Sequence, residues 1–411
     1  VRDGRNGLGT AIVFGADNDR ETGGNSNYNA LTANRATITV GAINAPGDIG
    51  ALVLGQKPFS NPGASILVSA PGSNIESTSR LLMNDNGSVF GADFQAAQGT
   101  SFATPIVSGV IALMLQANPK LGYRDIQTIL AMSAKQFTDP NGTDWVYNTA
   151  KNWNGGGMHA SHDYGFGKVD ALAAVRLAET WVEKNVYSNE QNRSAASGAL
   201  NAAIPDGSSE LTSTLTLASG LEIEHAQVTL DLTHQRWGDL IVKLISPSGT
   251  ESILVNRPGK VPGSGASDLG SSASGTLGFS FNTTHVRGED SAGTWTLKVI
   301  DAAGGQTGTL VNWKLDLYGA AADANNLYVY TNEYAGFGAG VRAALTDTDG
   351  GIDVLNASAV SSGSTLNLNN GATNTIAGKT LTIGGDIEHA FGGDGDDLLT
   401  GSALSNRLTG G

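Results

Sequence analysis

The chain has 411 residues, with 24 Lys+Arg against 38 Asp+Glu for a formal net charge of −14, and it contains no cysteine. That balance argues against nucleic acid and anionic membranes as partners, and the missing thiols exclude disulfides, thiolate nucleophiles and thiolate metal sites. Length calls for several domains, 56 glycines with only 15% charged residues favour strands and loops over helical bundles, and no uninterrupted apolar run is long enough for a bilayer span.

The N-terminus, Val1-Arg2-Asp3-Gly4, carries neither an initiator Met nor a signal peptide, which suggests processing or truncation. Residues 1–184 alternate β-like with helix-like runs, an α/β layout. Ala11-Ile12-Val13-Phe14 and Ala36-Thr37-Ile38-Thr39-Val40 read as buried parallel strands, and helices are predicted over 101–117, 124–135 and 168–184. The most specific string is Gly99-Thr100-Ser101-Phe102-Ala103-Thr104-Pro105, which runs straight into apolar Ile106 to Leu115. It presents Ser101 at the start of a buried helix: Gly99 permits a sharp turn, Thr100 and Ser101 are expected to cap the first N–H groups, and Pro105 is expected in the first turn. Residues 185–208 are polar and rich in Ser, Asn, Ala and Gly, a predicted linker. Over 209–320 the apolar period becomes two, at Val228, Leu230 and Leu232, then at Leu240, Val242 and Leu244, Trp295, Leu297 and Val299, and Trp313, Leu315 and Leu317. That pattern predicts an antiparallel sandwich. Residues 326–411 are rich in Gly, Asn, Thr and Asp and include Gly392-Gly393-Asp394-Gly395-Asp396-Asp397-Leu398-Leu399-Thr400, which fits a calcium-binding nonapeptide.

The Ser101 string resembles the nucleophile segment of the subtilisin-like serine proteases. Trp237-Gly238-Asp239-Leu240, Ile245-Ser246-Pro247-Ser248-Gly249-Thr250 and Gly293-Thr294-Trp295-Thr296-Leu297 resemble the P domain of the kexin/furin proprotein convertases, a jelly-roll sandwich. The last segment resembles the C-terminal β-roll module of serralysin-type secreted bacterial proteins. Together these likenesses imply a secreted, bacterial, calcium-assisted serine endopeptidase acting on polypeptides, with a partial subtilisin-like α/β domain at 1–184. Calcium would be held by Gly393, Asp394, Gly395 and Asp397, a site left incomplete because ligands come from successive repeats.

The resemblance makes Ser101 the nucleophile and puts Asn18, in Phe14-Gly15-Ala16-Asp17-Asn18-Asp19, at the oxyanion position; Asp17, where the family has glycine, is the alternative. Asn29 aligns with the acid that reads a basic substrate residue, and Gly24 and Asn61 align near two calcium-binding acids, so cleavage broader than paired-basic is expected. The family order is Asp, His, Ser, yet residues 1–100 hold no histidine. His162, beside Asp163, is expected to be structural because adjacent residues cannot orient one another as a triad requires. The chain is therefore read as the C-terminal half of a catalytic domain, whose His and Asp lie in missing sequence or in a separate polypeptide. A secreted binding protein that keeps the fold without hydrolysis is the alternative.

Overall fold

A computed structural model of the chain describes residues 1–44, 58–80, 82–83, 86–138, 145–207, 209–337 and 339–411. Strands β1 (Ile12–Gly15), β2 (Thr37–Ile43) and β3 (Ile66–Pro71) form a parallel sheet in that order. All of β2 is buried, which is why a strand covered on both faces reads as continuous small, apolar or β-branched residues. Helices α1 (Thr100–Ala117), α2 (Tyr123–Ser133) and α3 (Ala171–Thr180) share one core with the sheet. Ala103, Val107, Val110, Ile111 and Met114 recur at helical spacing and carry one face of α1 into that core. By length and composition α1 would also pass as a membrane span; its buried face is that of a core helix.

Two helix starts differ from expectation. Gly99 is the N-cap of α1, so Thr100 and Ser101 are its first two residues and neither caps it. Pro105 then lies one turn further in than expected, where its nitrogen cannot donate to the Ser101 carbonyl. α3 begins only at Ala171, because the Asp170 carboxylate accepts from Ala173 N at 3.1 Å and caps it there. Lys168 is extended instead, exchanging backbone bonds with Lys135 at 2.8 and 2.9 Å.

The second region comprises β4 (Gln191–Ala196), β5 (Ala202–Ile204), β6 (Glu210–Leu217), β7 (Leu221–His234), β8 (Leu240–Ile245), β9 (Glu251–Asn256), β10 (Gly275–Thr283), β11 (Gly293–Asp301) and β12 (Gly308–Ala321). They form two antiparallel sheets, β4-β12-β7-β10 with β5 also on β12, and β6-β11-β8-β9. Every apolar residue of the period-two runs is buried between the sheets. The expected linker 185–208 thus corrects to two further strands, β4 and β5. Both pair with β12, and β4 is an edge strand whose exposed, polar side chains give no apolar alternation to read.

Beyond residue 326 the chain alternates between two sheets. Leu327–Thr331, Val354–Ala359, His389–Phe391 and Arg407–Thr409 make a parallel one. Ala344–Thr346, Thr365–Asn367, a hairpin over residues 373–384 and Leu398–Thr400 make the other. Tyr330, Tyr334, Leu355, Leu366, Leu381 and Ile383 lie between them.

The sandwich is fastened to the α/β region by buried polar groups. Arg124 on α2, 1% exposed, donates twice to Glu224 on β7, 6% exposed, at 2.7 and 2.6 Å. Gln127 Oε1 pairs with His225 Nε2 at 2.8 Å, and Asn148 Nδ2 donates to the carbonyls of His285 and Arg287 at 2.9 and 2.8 Å. A buried ion pair carries a large desolvation cost, offset here by a bidentate geometry and a further bond from Arg124 to Val186 O at 3.0 Å.

Candidate active site

The site lies beyond the carboxyl end of β1, where open parallel sheets place their ligands. Gly15 ends the strand, and any side chain there would meet Thr100 Oγ1 at 2.6 Å, so glycine admits the N-terminus of α1. Asp17 then takes φ 72°, the left-handed region where the related family has glycine. This turn aims Asn18 at the helix: its Oδ1 accepts from Thr100 N at 2.9 Å. The cap expected from Thr100 or Ser101 therefore comes from a residue 82 positions upstream.

That bond uses the oxygen of the Asn18 amide and leaves its NH₂ end unspent among the described residues. Gly99, at φ 138°, is in backbone space that only glycine enters freely. The point where its Cβ would stand is 3.6 Å from Asn18 Nδ2 and 3.7 Å from Ser101 N. The Asn18 amide, through Nδ2 and through Oδ1 at 3.7 Å, and the Ser101 N of the first helical turn thus lie close to one spot near the exposed Ser101. The positive end of α1 adds to the attraction for negative charge there.

Asn29 is exposed and joins the same loop, donating from Nδ2 to Asp17 Oδ2 at 3.4 Å while its Oδ1 accepts from Leu31 N at 2.9 Å. Asn61 accepts from Asp19 N at 2.8 Å and donates from its own N–H to Asp17 O at 3.1 Å; a Cβ on Gly24 would lie 2.8 Å from the Asn61 amide. Positions 24, 29 and 61 are therefore gathered around the loop of Asp17 and Asp19, with amides and a glycine where the alignment expects acids. No group of three or more His, Cys, Asp or Glu able to hold a metal ion occurs among the described residues.

The histidines are spent elsewhere. His162 accepts from Ile253 N of β9 at 2.8 Å and packs its ring 4.5 Å from that of His285. Burial pushes its pKa down to about 4, so it is neutral. His225 and His285 are likewise held well below the ordinary value, both chiefly by burial. His159 pairs with Glu333 at 3.0 Å between Trp145 and Trp153, and His234 pairs with Asp301 at 3.1 Å inside the sandwich. His162, expected to be structural, is so; the bonds of His159, His162 and His225 across regions had no local signal, because each partner is distant in the chain.

In the nonapeptide the structure places Asp394 against Arg176 of α3, in an ion pair. Asp397 Oδ1 accepts from Ser364 N at 2.7 Å, while its Oδ2 is buried with no partner among the described residues. Gly393 and Gly395 pack so tightly against the Val360 carbonyl and Gly363 N that side chains there would collide. Asp397 and the neighbouring carbonyls suit a hard cation; Asp394 is already neutralised.

Ser101 thus stands at a helix N-terminus on an α/β frame, with the amide of Asn18 beside it. Residues 1–167 match the Subtilase family, and residues 223–317 match the Proprotein convertase P-domain. The chain is 33% identical over 338 residues to the dibasic-processing endoprotease of Schizosaccharomyces pombe, spanning 79% of this chain and 44% of that protein. It is 30% identical over 332 residues to human furin, spanning 79% of this chain and 38% of furin. The chain thus covers less than half the length of these curated relatives. The solved structure of a serine protease of Aeromonas sobria has the same fold, with a TM-score of 0.60 at 24% identity over 76% of this chain and 65% of that one. These matches place the chain among the proprotein-convertase-like subtilases.

Proposed function

We propose that this chain carries the nucleophile and oxyanion hole of an exported serine endopeptidase, and that the general base and its orienting acid come from residues outside this sequence. The observation that carries the reading is the nearness of Asn18 Nδ2 and Ser101 N to the spot over Gly99. Ser101 Oγ would attack a peptide carbonyl held there, and the two donors would take the developing oxyanion. A base would accept the Ser101 proton and return it to the leaving amine, leaving an acyl-enzyme on Ser101 that water then cleaves. His159, His162, His225 and His234 are each engaged with other partners.

With Asn29, Gly24 and Asn61 where convertases carry acids, the carboxylates at this loop are those of Asp17, bonded to Asn29, and Asp19, beside Gly24, so cleavage is expected to be broader than paired-basic. Calcium enters this reading at the C-terminal region, held by Asp397 Oδ2 and the carbonyls of Gly393 and Gly395, with Asp394 joining only by releasing Arg176. Such an ion would brace the coil that packs on α3. The jelly-roll and β-roll descriptions of the second and third regions belong to the same proposal.

A fluorophosphonate probe tests the core of the reading. The isolated chain should not label stoichiometrically, whereas a form carrying the upstream His and Asp should, with labelling lost in Ser101→Ala. Stoichiometric, Ser101-dependent labelling of the isolated chain would refute the need for an outside base. No labelling of the complete form would refute the endopeptidase.

A further inference from the structure

The sandwich is open on one side, between its edge strands β9 and β10. A cavity of about 340 Å³ occupies the opening, lined by Tyr28, Trp237, Val255, Pro258, Leu277 and Phe279. The α/β region covers part of this side: Asn256 N donates to Tyr28 Oη at 3.0 Å, and Asn282 N to Asn27 Oδ1 at 3.1 Å. The rest of β10 has no such bond from the α/β region among the described residues.

The register of β10 on β7 is unbroken from Thr283 to Gly275. Because Asn282 N points away from β7, the alternation of an antiparallel ladder turns the N–H and C=O groups of Thr276, Gly278 and Ser280 the same way. None of the three makes an outward backbone bond among the described residues. Proteins normally blunt such an edge with charge, proline or a covering segment. β10 reads Gly-Thr-Leu-Gly-Phe-Ser-Phe-Asn-Thr, with neither charge nor proline. At its middle Gly278 faces open space, with nothing within 4 Å of a Cβ built there, as befits a place where another backbone approaches.

We propose that this notch docks an extended segment of the polypeptide substrate, which adds as a strand along residues 276–280 and lodges one aromatic or large aliphatic side chain in the cavity. Main-chain bonds to the edge would supply affinity and the cavity selectivity. The substrate is the occupant because the cavity borders the candidate site along the chain: Tyr28 lines it, and the next residue, Asn29, bonds to Asp17 beside Asn18. Naming the occupant as substrate rests on the endopeptidase reading, whereas strand addition itself needs no chemistry at Ser101.

The probe is a soluble peptide alternating phenylalanine with threonine, lysine at both ends, titrated into the 411-residue chain and followed by tryptophan fluorescence and backbone amide shifts. Saturable one-to-one binding is expected, with shifts at Thr276, Gly278 and Ser280. Gly278→Pro should weaken it about tenfold or more, or about 1.4 kcal/mol. That proline removes an outward donor without touching the ladder to β7, so the fold is kept. A peptide N-methylated along the pairing edge should weaken binding to the unaltered chain equally, a control that needs no variant. Equal binding in both comparisons, no binding, or a dimer of the chain closing the same edge would overturn the proposal. In the complete protease, Gly278→Pro should lower kcat/KM for substrates bearing the phenylalanine–threonine segment and leave fluorophosphonate labelling of Ser101 unchanged; loss of labelling would instead implicate the endopeptidase reading.

Discussion

At the N-terminus of α1, Ser101 is exposed and the Asn18 amide has one end bonded and one end free. At the seam with the sandwich, His162, His225, Arg124 and Glu224 are enclosed and bonded to partners across it. Both places hold residue types that hydrolysis uses, and exposure with unspent donors separates them. The seam histidines are held neutral by burial and already occupied, so proximity in sequence to an aspartate, as in His162-Asp163, confers no catalytic role. The contrast also explains how the sandwich serves the site: Thr284 of the sandwich donates to the carbonyls of Ala64 and Ile66, at the start of the sheet strand beside β2.

Substitutions at Asn18, at the Arg124–Glu224 pair and at His162 test the contrast. The largest effect is expected from Asn18→Ala in the complete protease, a loss of about 10²–10³ in kcat by the magnitude known for this kind of donor. Asn18→Asp sharpens it, since the carboxylate still accepts from Thr100 N and keeps the helix cap but offers no N–H; stability should recover while kcat stays low. Full kcat in Asn18→Asp would move the oxyanion role to the neighbouring Asp17 or elsewhere.

At the seam, Arg124→Met leaves Glu224 buried without its partner and should cost about 3–5 kcal/mol in denaturant unfolding. Adding Glu224→Leu should restore much of it, because the remaining charge is then gone as well. A double variant no better than the single would mean that the pair fixes docking geometry through its other bonds.

The smallest effect is a pH dependence. His162 has a native pKa of about 4, depressed by burial from the ordinary 6.5. The unfolded chain therefore takes up the proton first, so the stabilisation from neutral His162 is complete above pH 6.5 and is lost as the pH falls toward 4, by up to about 3 kcal/mol. His162→Asn retains an acceptor for Ile253 N. The stability difference between the parent chain and this variant should shrink between pH 7 and pH 4.5; a constant difference would show that His162 is not enclosed.

Much was legible in the chain itself. Strands at 12–15 and 37–43, the helix from Thr100 and the alternating runs of the sandwich follow from local apolar periodicity, which burial on one or both faces imposes directly. β4 was not legible, because an exposed edge strand carries no such period, and β5, Ala202–Ile204, is too short to show one. The cap of α1 was not either: Asn18 and Thr100 are joined only when β1 and α1 are packed side by side.

The sequence by itself determined the kinds of element, their order and the presence of Ser101 and Asn18 in recognisable strings, since these depend on residue type and near neighbours. Only the tertiary structure decided that Asn18 spends its oxygen on the helix, that His162 and His225 bond across the seam, and that Asp394 answers to Arg176. Each of those outcomes is a choice of partner across tens to hundreds of residues, and such choices are fixed by packing and desolvation rather than by any local pattern.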